Sequence, residues 1–336
     1  MKHVLVIGAG TMGSVHASAY AKMEGVKLAG IVDIREQIGI ELALSVSTNY
    51  YKTIDEAMNS VPVIDIIDVC LPTYLHKEFV MQAADLGKNV ICEKPLARTK
   101  EDAQEMIAYC KEKGVKLFVG HVLRFFQEYK KTKEIVDSNE IGKPVMVRTK
   151  RGGVFPEAWN DWYADFQKSG GLVLDMVIHD IDFLRWCFGE VERVYGKSVL
   201  GRSFNRIDYA LLTLRFESGV IAHVEGTWAH QGFSTSIEIV GDKGIIEYDS
   251  SKERSIYSQI RQKENSGGVA VPSSPLKEDP YFQELAHFLD CIENDLEPLV
   301  SAEDAYKALE ISLAGLESIK SGKVVEIKSS LSIPRV

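Results

Sequence analysis

The sequence is poor in cysteine. It holds five (Cys70, Cys92, Cys110, Cys187 and Cys291), an odd and scattered set without a C-x-x-C pair. That spacing excludes a zinc ribbon and a disulfide framework and fits reduced thiols in a cytoplasmic protein. No apolar run approaches the roughly 18 residues of a membrane span. The N-terminal run His3-Val4-Leu5-Val6-Ile7 meets Gly8 too early for a signal peptide. Neither secretion nor a membrane is expected. Positive charge is in deficit, with 39 Lys plus Arg against 48 Asp plus Glu and a formal charge of −9. Without a dense basic run, nucleic acid is not an expected partner. His3, His16, His121, His223, His230 and His287 form no ligand-spaced cluster, so no metal is expected. What remains is ordinary for a soluble globular chain: 45% hydrophobic and 26% charged residues, over a length of 336 that predicts about two domains.

The first 120 residues alternate two periods. Short aliphatic runs at His3–Ile7, Val26–Val32, Ile64–Cys70, Asn89–Cys92 and Val115–Val119 read as strands. Between them, Met12–Met23, Glu36–Ser45, Ile54–Asn59, Leu75–Leu86 and Lys100–Lys113 read as helices. This alternation implies parallel βαβ units and a doubly wound sheet. Thr99 is placed to cap the last helix, and Gly87 and Gly114 to end two of them. From about residue 121 the pattern changes. A helix is predicted over Phe126–Asp137, then strands at Val145–Lys150, Val191–Leu200, Ala210–Phe216, Val220–His223, Ser236–Val240 and Ile245–Tyr248. Several are joined by turns too short for parallel crossovers, so a large, mainly antiparallel sheet is expected in an α+β second domain. Helices are predicted at Leu172–Cys187, Tyr281–Asn294 and Ala302–Lys320, and Lys263–Pro280 reads as a long exposed loop. The expected division is 1–120 for the first domain and 121–336 for the second.

Gly8-Ala9-Gly10-Thr11-Met12-Gly13 fits G-x-G-x-x-G between a strand and a helix. In that context Gly8 makes the tight turn, Gly10 admits a pyrophosphate, and Gly13 lets the helix pack closely. The helix N-terminus then directs N–H groups and partial positive charge at the phosphates. Asp33, at the end of the second strand, stands where a carboxylate accepts the adenosine ribose hydroxyls and repels a 2′-phosphate, which favours NAD over NADP. Arg35 complicates this, since a guanidinium there can stack on adenine or accommodate a phosphate.

Three further motifs lie where ligands of open α/β sheets bind or at the start of a later helix. Cys92-Glu93-Lys94-Pro95-Leu96 ends the fifth strand, and Leu71-Pro72-Thr73-Tyr74-Leu75-His76 follows the fourth. Ser169-Gly170-Gly171-Leu172-Val173-Leu174-Asp175-Met176-Val177-Ile178-His179-Asp180-Ile181-Asp182 opens a helix in the second domain. With His121-Val122-Leu123-Arg124-Phe125 after the last strand of the first domain, the chain resembles the glucose-fructose oxidoreductase/inositol dehydrogenase (Gfo/Idh/MocA) family over nearly its whole length. Each motif is moderately specific for the family; together, in order and at these spacings, they are highly specific for it and much less so for a substrate.

The resemblance implies a Rossmann domain binding NAD(P), a C-terminal α/β domain whose open sheet builds homodimers or homotetramers, and oxidation of a secondary alcohol of a sugar or cyclitol. It carries the family's catalytic groups onto Lys94, Asp175 and His179, and a cis peptide onto Lys94-Pro95. Cofactor contacts are expected from Gly8, Gly10, Thr11, Met12, Gly13, Asp33, Arg35, Leu71, Pro72, Thr73, His76, Glu93 and Lys94. His76 either lines the nicotinamide pocket or lies on the surface at a helix start. Substrate contacts are expected among Arg124, Arg151, Trp162 and His179, with Trp159 and Asn160 as further candidates; Asp182 serves substrate or structure. Asp175 and His179, four apart, share one face of a helix. Histidine suits proton abstraction near neutral pH, and an ammonium at Lys94 suits a developing alkoxide. Asp175 would orient the substrate or His179, or hold Lys94 charged. Two other readings are a relative that keeps NAD bound without net NADH release, and a sensor that binds nicotinamide and sugar without chemistry.

Overall fold

The computed structural model describes residues 1–199, 208–252 and 279–327. The described residues divide into two compact units, Met1–Gln127 with the described part of Ser273–Tyr306, and Glu128–Pro272 with Lys307–Val336 over their described parts. The expected loop over Lys263–Pro280 lies outside the described residues except at its last two positions, and so does Leu200.

In the first unit, β1 (Lys2–Ile7), α1 (Thr11–Tyr20), β2 (Val26–Val32), α2 (Glu36–Ser45), β3 (Tyr50–Tyr51), α3 (Ile54–Ser60), β4 (Ile66–Val69), α4 (His76–Asp85), β5 (Asn89–Glu93), α5 (Lys100–Glu112) and β6 (Leu117–Gly120) follow in order. The strands form a parallel sheet in the order β3-β2-β1-β4-β5-β6. This is the doubly wound sheet that the alternating pattern predicts. Strands buried on both faces carry continuous aliphatic runs, and β4 is wholly buried along its length. Thr99 accepts the Asp102 N–H at the start of α5, and Gly87 and Gly114 take positive φ after α4 and α5. Helix α9 (Pro280–Glu293), late in the chain, belongs to this unit. Its Leu285, Phe288, Leu289 and Cys291 join the core formed by Val4, Val6, Tyr20, Ile66 and Phe118.

The second unit contains α6 (Gln127–Asp137), whose first residue belongs to the first unit, then β7 (Pro144–Val154), a short α7 (Phe166–Ser169) and α8 (Ile178–Phe188). Strands β8 (Val191–Val199), β9 (Tyr209–Phe216), β10 (Ile221–Thr227), β11 (Ala229–Gly241) and β12 (Ile245–Asp249) follow, and α10 (Ala302–Ser321), whose first five residues belong to the first unit, and β13 (Val325–Glu326) end the described chain. The sheet runs β12-β11-β7-β10-β9-β8-β13. Every described pairing is antiparallel except β10 with β7. Strand β9 alternates half-buried and buried residues, the mark of a sheet with one covered face. Among the described residues, no helix is long and apolar enough to cross a membrane.

Candidate active site

In the first unit the site starts at the turn Gly8-Ala9-Gly10. Gly8 has φ +101°, and a Cβ there would lie 2.4 Å from the Cys70 carbonyl oxygen. A Cβ on Gly13 would lie 1.7 Å from the Gly8 carbonyl oxygen, so α1 can leave the turn only through a glycine. At Gly10 a Cβ would meet nothing within 4 Å. Open space therefore lies beside the N-terminus of a ten-residue helix that has no side-chain cap. Thr11 and Met12 are half-buried in its first turn. First-turn N–H groups lack a carbonyl partner within the helix and favour an anion. These residues fit a dinucleotide pyrophosphate.

Asp33 closes the turn from the end of β2. Its Oδ2 accepts the Ala9 N–H at 2.7 Å and Arg35 Nη2 at 2.7 Å. Its Oδ1 accepts the Arg35 N–H at 2.8 Å and Arg35 Nε at 2.9 Å. Burial pushes the carboxyl up, but the bonds from Arg35 and Ala9 outweigh it and hold the group below its ordinary value. The guanidinium of Arg35 thus engages the very carboxylate expected to receive the ribose.

Lys94 follows directly on β5. It is half-buried between buried Glu93 and Pro95, and the Lys94-Pro95 peptide is cis. Glu93 turns one carboxylate oxygen onto the Lys94 N–H at 3.1 Å and the other onto His16 Nε2 at 3.0 Å. His76 grips the other side of the turn. Its Nδ1 lies 3.0 Å from the Pro95 carbonyl oxygen and 3.3 Å from that of Leu96, and its Nε2 lies 2.8 Å from the Leu71 carbonyl oxygen. The ring is wholly buried, which excludes a surface role, and burial lowers its pKa. His76 ties the Leu71-Pro72-Thr73 loop to the Lys94 turn through backbone oxygens.

In the second unit, Gly170 and Gly171 both take positive φ, and Ser169 Oγ donates to the Tyr163 carbonyl oxygen at 2.9 Å. The sequence predicts one continuous α-helix over Leu172–Cys187. The structure begins it instead with a π-helical turn, Val173–Val177, before α8. Gly226 on β10 explains how that wider turn fits, because a Cβ there would lie 2.4 Å from a Val177 methyl carbon. Asp175 is buried in the π turn and accepts the Tyr163 hydroxyl at 3.4 Å, while His179 is half-buried one turn on. Asp182 is wholly buried.

The two expected substrate arginines are engaged elsewhere. Arg151 is 1% exposed, with Nε 2.6 Å and Nη2 3.2 Å from the two Asp180 oxygens and Nη2 3.0 Å from the Tyr129 hydroxyl. It anchors α8 to β7 beside His179. Arg124, equally buried, donates to the Leu299 carbonyl oxygen at 2.7 Å and lies 3.3 Å from Asp304. Trp162 stacks on Tyr163 at 4.0 Å, and Trp159 and Asn160 are exposed. Sequence reasoning passed over Tyr163, Asp180, His16 and Asp68. Asp68 left a signal, a charge inside the aliphatic run Ile66-Ile67-Asp68-Val69.

Comparison with known proteins fits both units. Residues 2–121 match the model of an oxidoreductase family with an NAD-binding Rossmann fold, and residues 129–247 match the GFO/IDH/MocA C-terminal domain. The myo-inositol 2-dehydrogenase of Thermotoga maritima is 32% identical over 96% of this chain and 98% of its own. The chain belongs to the Gfo/Idh/MocA family. A second relative, the scyllo-inositol 2-dehydrogenase (NAD(+)) of Bacillus subtilis, is 30% identical over 96% of this chain and 95% of its own. The crystal structure of a probable dehydrogenase from T. maritima superposes with a TM-score of 0.81 at 30% identity, covering 96% of this chain and 98% of that one. This Gfo/Idh/MocA protein is therefore an NAD-binding oxidoreductase.

Proposed function

We propose that this Gfo/Idh/MocA enzyme oxidises a secondary hydroxyl of a cyclitol or closely related sugar, with NAD preferred over NADP. The observation that carries the reading is the near full-length similarity to two inositol 2-dehydrogenases in a chain that presents Lys94, Asp175 and His179. Gly8, Gly10, Gly13 and the first turn of α1 would hold the pyrophosphate, and Asp33 the adenosine ribose. When bound, NAD supplies the hydride acceptor. His179 takes the proton from the substrate hydroxyl. The Lys94 ammonium stabilises the negative charge that grows on that oxygen. Asp175, oriented by Tyr163, orients the reacting groups. Arg151 and Arg124 act as supports.

The test is NADH formation across inositols, aldoses, sugar acids and sugar phosphates, with NAD and NADP in parallel. A cyclitol with NAD should give the strongest rate. Lys94→Ala and His179→Ala should each lower kcat about 100-fold or more, and His179→Ala should leave NAD affinity near wild type. A flat panel with tight NAD binding, or a Lys94→Ala enzyme with full kcat, overturns the reading.

A further inference from the structure

His16 lies on α1, three residues past Gly13, and its ring is wholly buried between two buried carboxylates. Nδ1 is 2.8 Å from Asp68 Oδ2, and Nε2 is 3.0 Å from Glu93 Oε1. A neutral imidazole donates from one nitrogen and carries a lone pair on the other. Nδ1 makes a hydrogen bond to Asp68, whereas Nε2 is not aligned for one and meets Glu93 at ion-pair distance; two carboxylates this close to one buried ring favour the charged imidazolium. The remaining contacts point the same way. Asp68 also accepts the Tyr20 hydroxyl at 2.8 Å and the Cys70 thiol at 3.5 Å. Glu93 accepts the Lys94 N–H. Both carboxyl groups accept hydrogen bonds from neighbours, and Cys70 Sγ lies 3.3 Å from His16 Nδ1, a setting that favours carboxylates around a doubly protonated ring.

We propose that His16 is a buried imidazolium bridge between Asp68 and Glu93 and, through Glu93, a positioning residue for Lys94. The positioning role rests on the reading of Lys94 as a group that acts on the substrate. The bridge joins α1, which starts at the dinucleotide turn, to the ends of β4 and β5. With one Glu93 oxygen fixed on His16, the other is held against the Lys94 N–H, and the backbone that carries the lysine is fixed with it. The groups around His16 are Asp68 and Cys70 at β4, Glu93 and Lys94 at β5, and Tyr20 on its own helix; Glu284 of α9 acts on Tyr20. Burial opposes the charge on His16, and the hydrogen-bonded Asp68 carboxylate favours it. Burial and Asp68 push the Cys70 thiol up, so it stays protonated. His16, Asp68 and Cys70 present ligand-type atoms within 4.8 Å of one another, but the 2.8 Å Nδ1···Oδ2 contact is a hydrogen bond with no seat for a cation between its atoms.

The test uses the full-length enzyme labelled with ¹⁵N-histidine. Long-range ¹H–¹⁵N spectra should show both His16 nitrogens still protonated above the ordinary histidine pKa of about 6.5. In Glu93→Gln the second proton should be lost at neutral pH. A single protonated nitrogen in the wild type at neutral pH overturns the bridge. With myo-inositol and NAD as probes, Glu93→Ala and His16→Gln should lower kcat about 100-fold, as expected for a misplacement near 1 Å, and change the KM for NAD far less. Glu93→Gln, whose amide oxygen still accepts the Lys94 N–H, should lose less than Glu93→Ala. Crystal structures of Glu93→Gln and Glu93→Ala decide the positioning role without a substrate. A Lys94 turn that superposes on the wild type in both overturns it. Full activity in Lys94→Ala would instead overturn the catalytic reading and leave the spectra to judge the bridge.

Discussion

Asp33 gathers four hydrogen bonds from Ala9 and Arg35, and this decides how it treats a cofactor. The carboxylate stays ionised with Arg35 held against it, and on the proposed seat of the ribose its charge would face a 2′-phosphate. Replacing Asp33 by serine removes that charge and releases the guanidinium. The ratio of NADP to NAD in kcat/KM should rise by about 10-fold or more, since opposed like charges cost several kcal/mol. An unchanged ratio would place the specificity elsewhere. The same residue sets an acid limit on the fold. Its folded pKa is lowered, so its stabilisation is present above the unfolded value of about 3.9 and is lost as pH falls through the folded value. His16 has the opposite sign. Its folded pKa is raised, so its contribution is complete below about 6.5 and is lost as pH rises through the folded value. Urea midpoints should show Asp33→Ser converging on the wild type in acid and His16→Gln converging on it in alkali. Parallel midpoint curves for either variant would contradict its assigned role.

At the scale of elements, a buried ion pair, Arg151 with Asp180, ties the helix that carries His179 to β7. Arg151→Met leaves Asp180 charged and unpaired in the interior, which should cost about 3–5 kcal/mol by chemical denaturation, and adding Asp180→Leu should recover much of the loss. A loss within 1 kcal/mol, with water admitted around Asp180, would show that the pair does not anchor α8 (~1 kcal/mol being the scale of an exposed pair). This ion pair also shows where sequence reading stops. The alternation of periods revealed the first sheet, Thr99 and Gly87 marked helix ends, and G-x-G-x-x-G and D-x-x-x-H stood out as candidate site motifs, because each is local. Strand β3 is two residues long and carries no pattern. The π turn at Val173–Val177 packs closely on Gly226 of a distant strand, and V-L-D-M-V itself has no mark of it. Arg151 invited a substrate role because a sequence does not show which carboxylate a guanidinium meets, and its partner lies 29 positions away. His16 looked ordinary for the same reason, since Asp68 lies 52 positions along.

At the scale of the molecule, the second sheet raises a question that its own unit does not answer. One face of β7, β10 and β11 carries cross-strand ion pairs, Arg148 with Glu238 at 3.0 Å and Lys150 with Glu225 at 3.2 Å, on partly exposed side chains. A wide sheet covered on one side presents its other face for self-association, and closed symmetric assemblies are the commonest outcome. We expect a mass of two or four chains by light scattering after size exclusion, with this face against a second copy. Reversing the two cations together, Arg148→Glu with Lys150→Glu, sets like charges opposite Glu238 and Glu225 and should shift the enzyme toward the monomer. NAD affinity should persist in that variant, because the glycine turn, Asp33 and the Lys94 turn all belong to the first unit. A wild-type monomer at micromolar concentration would refute the assembly, and an unshifted mass in the variant would move the interface to another face. Loss of NAD binding together with dissociation would mean instead that assembly supports the cofactor site, which the first unit's own core argues against.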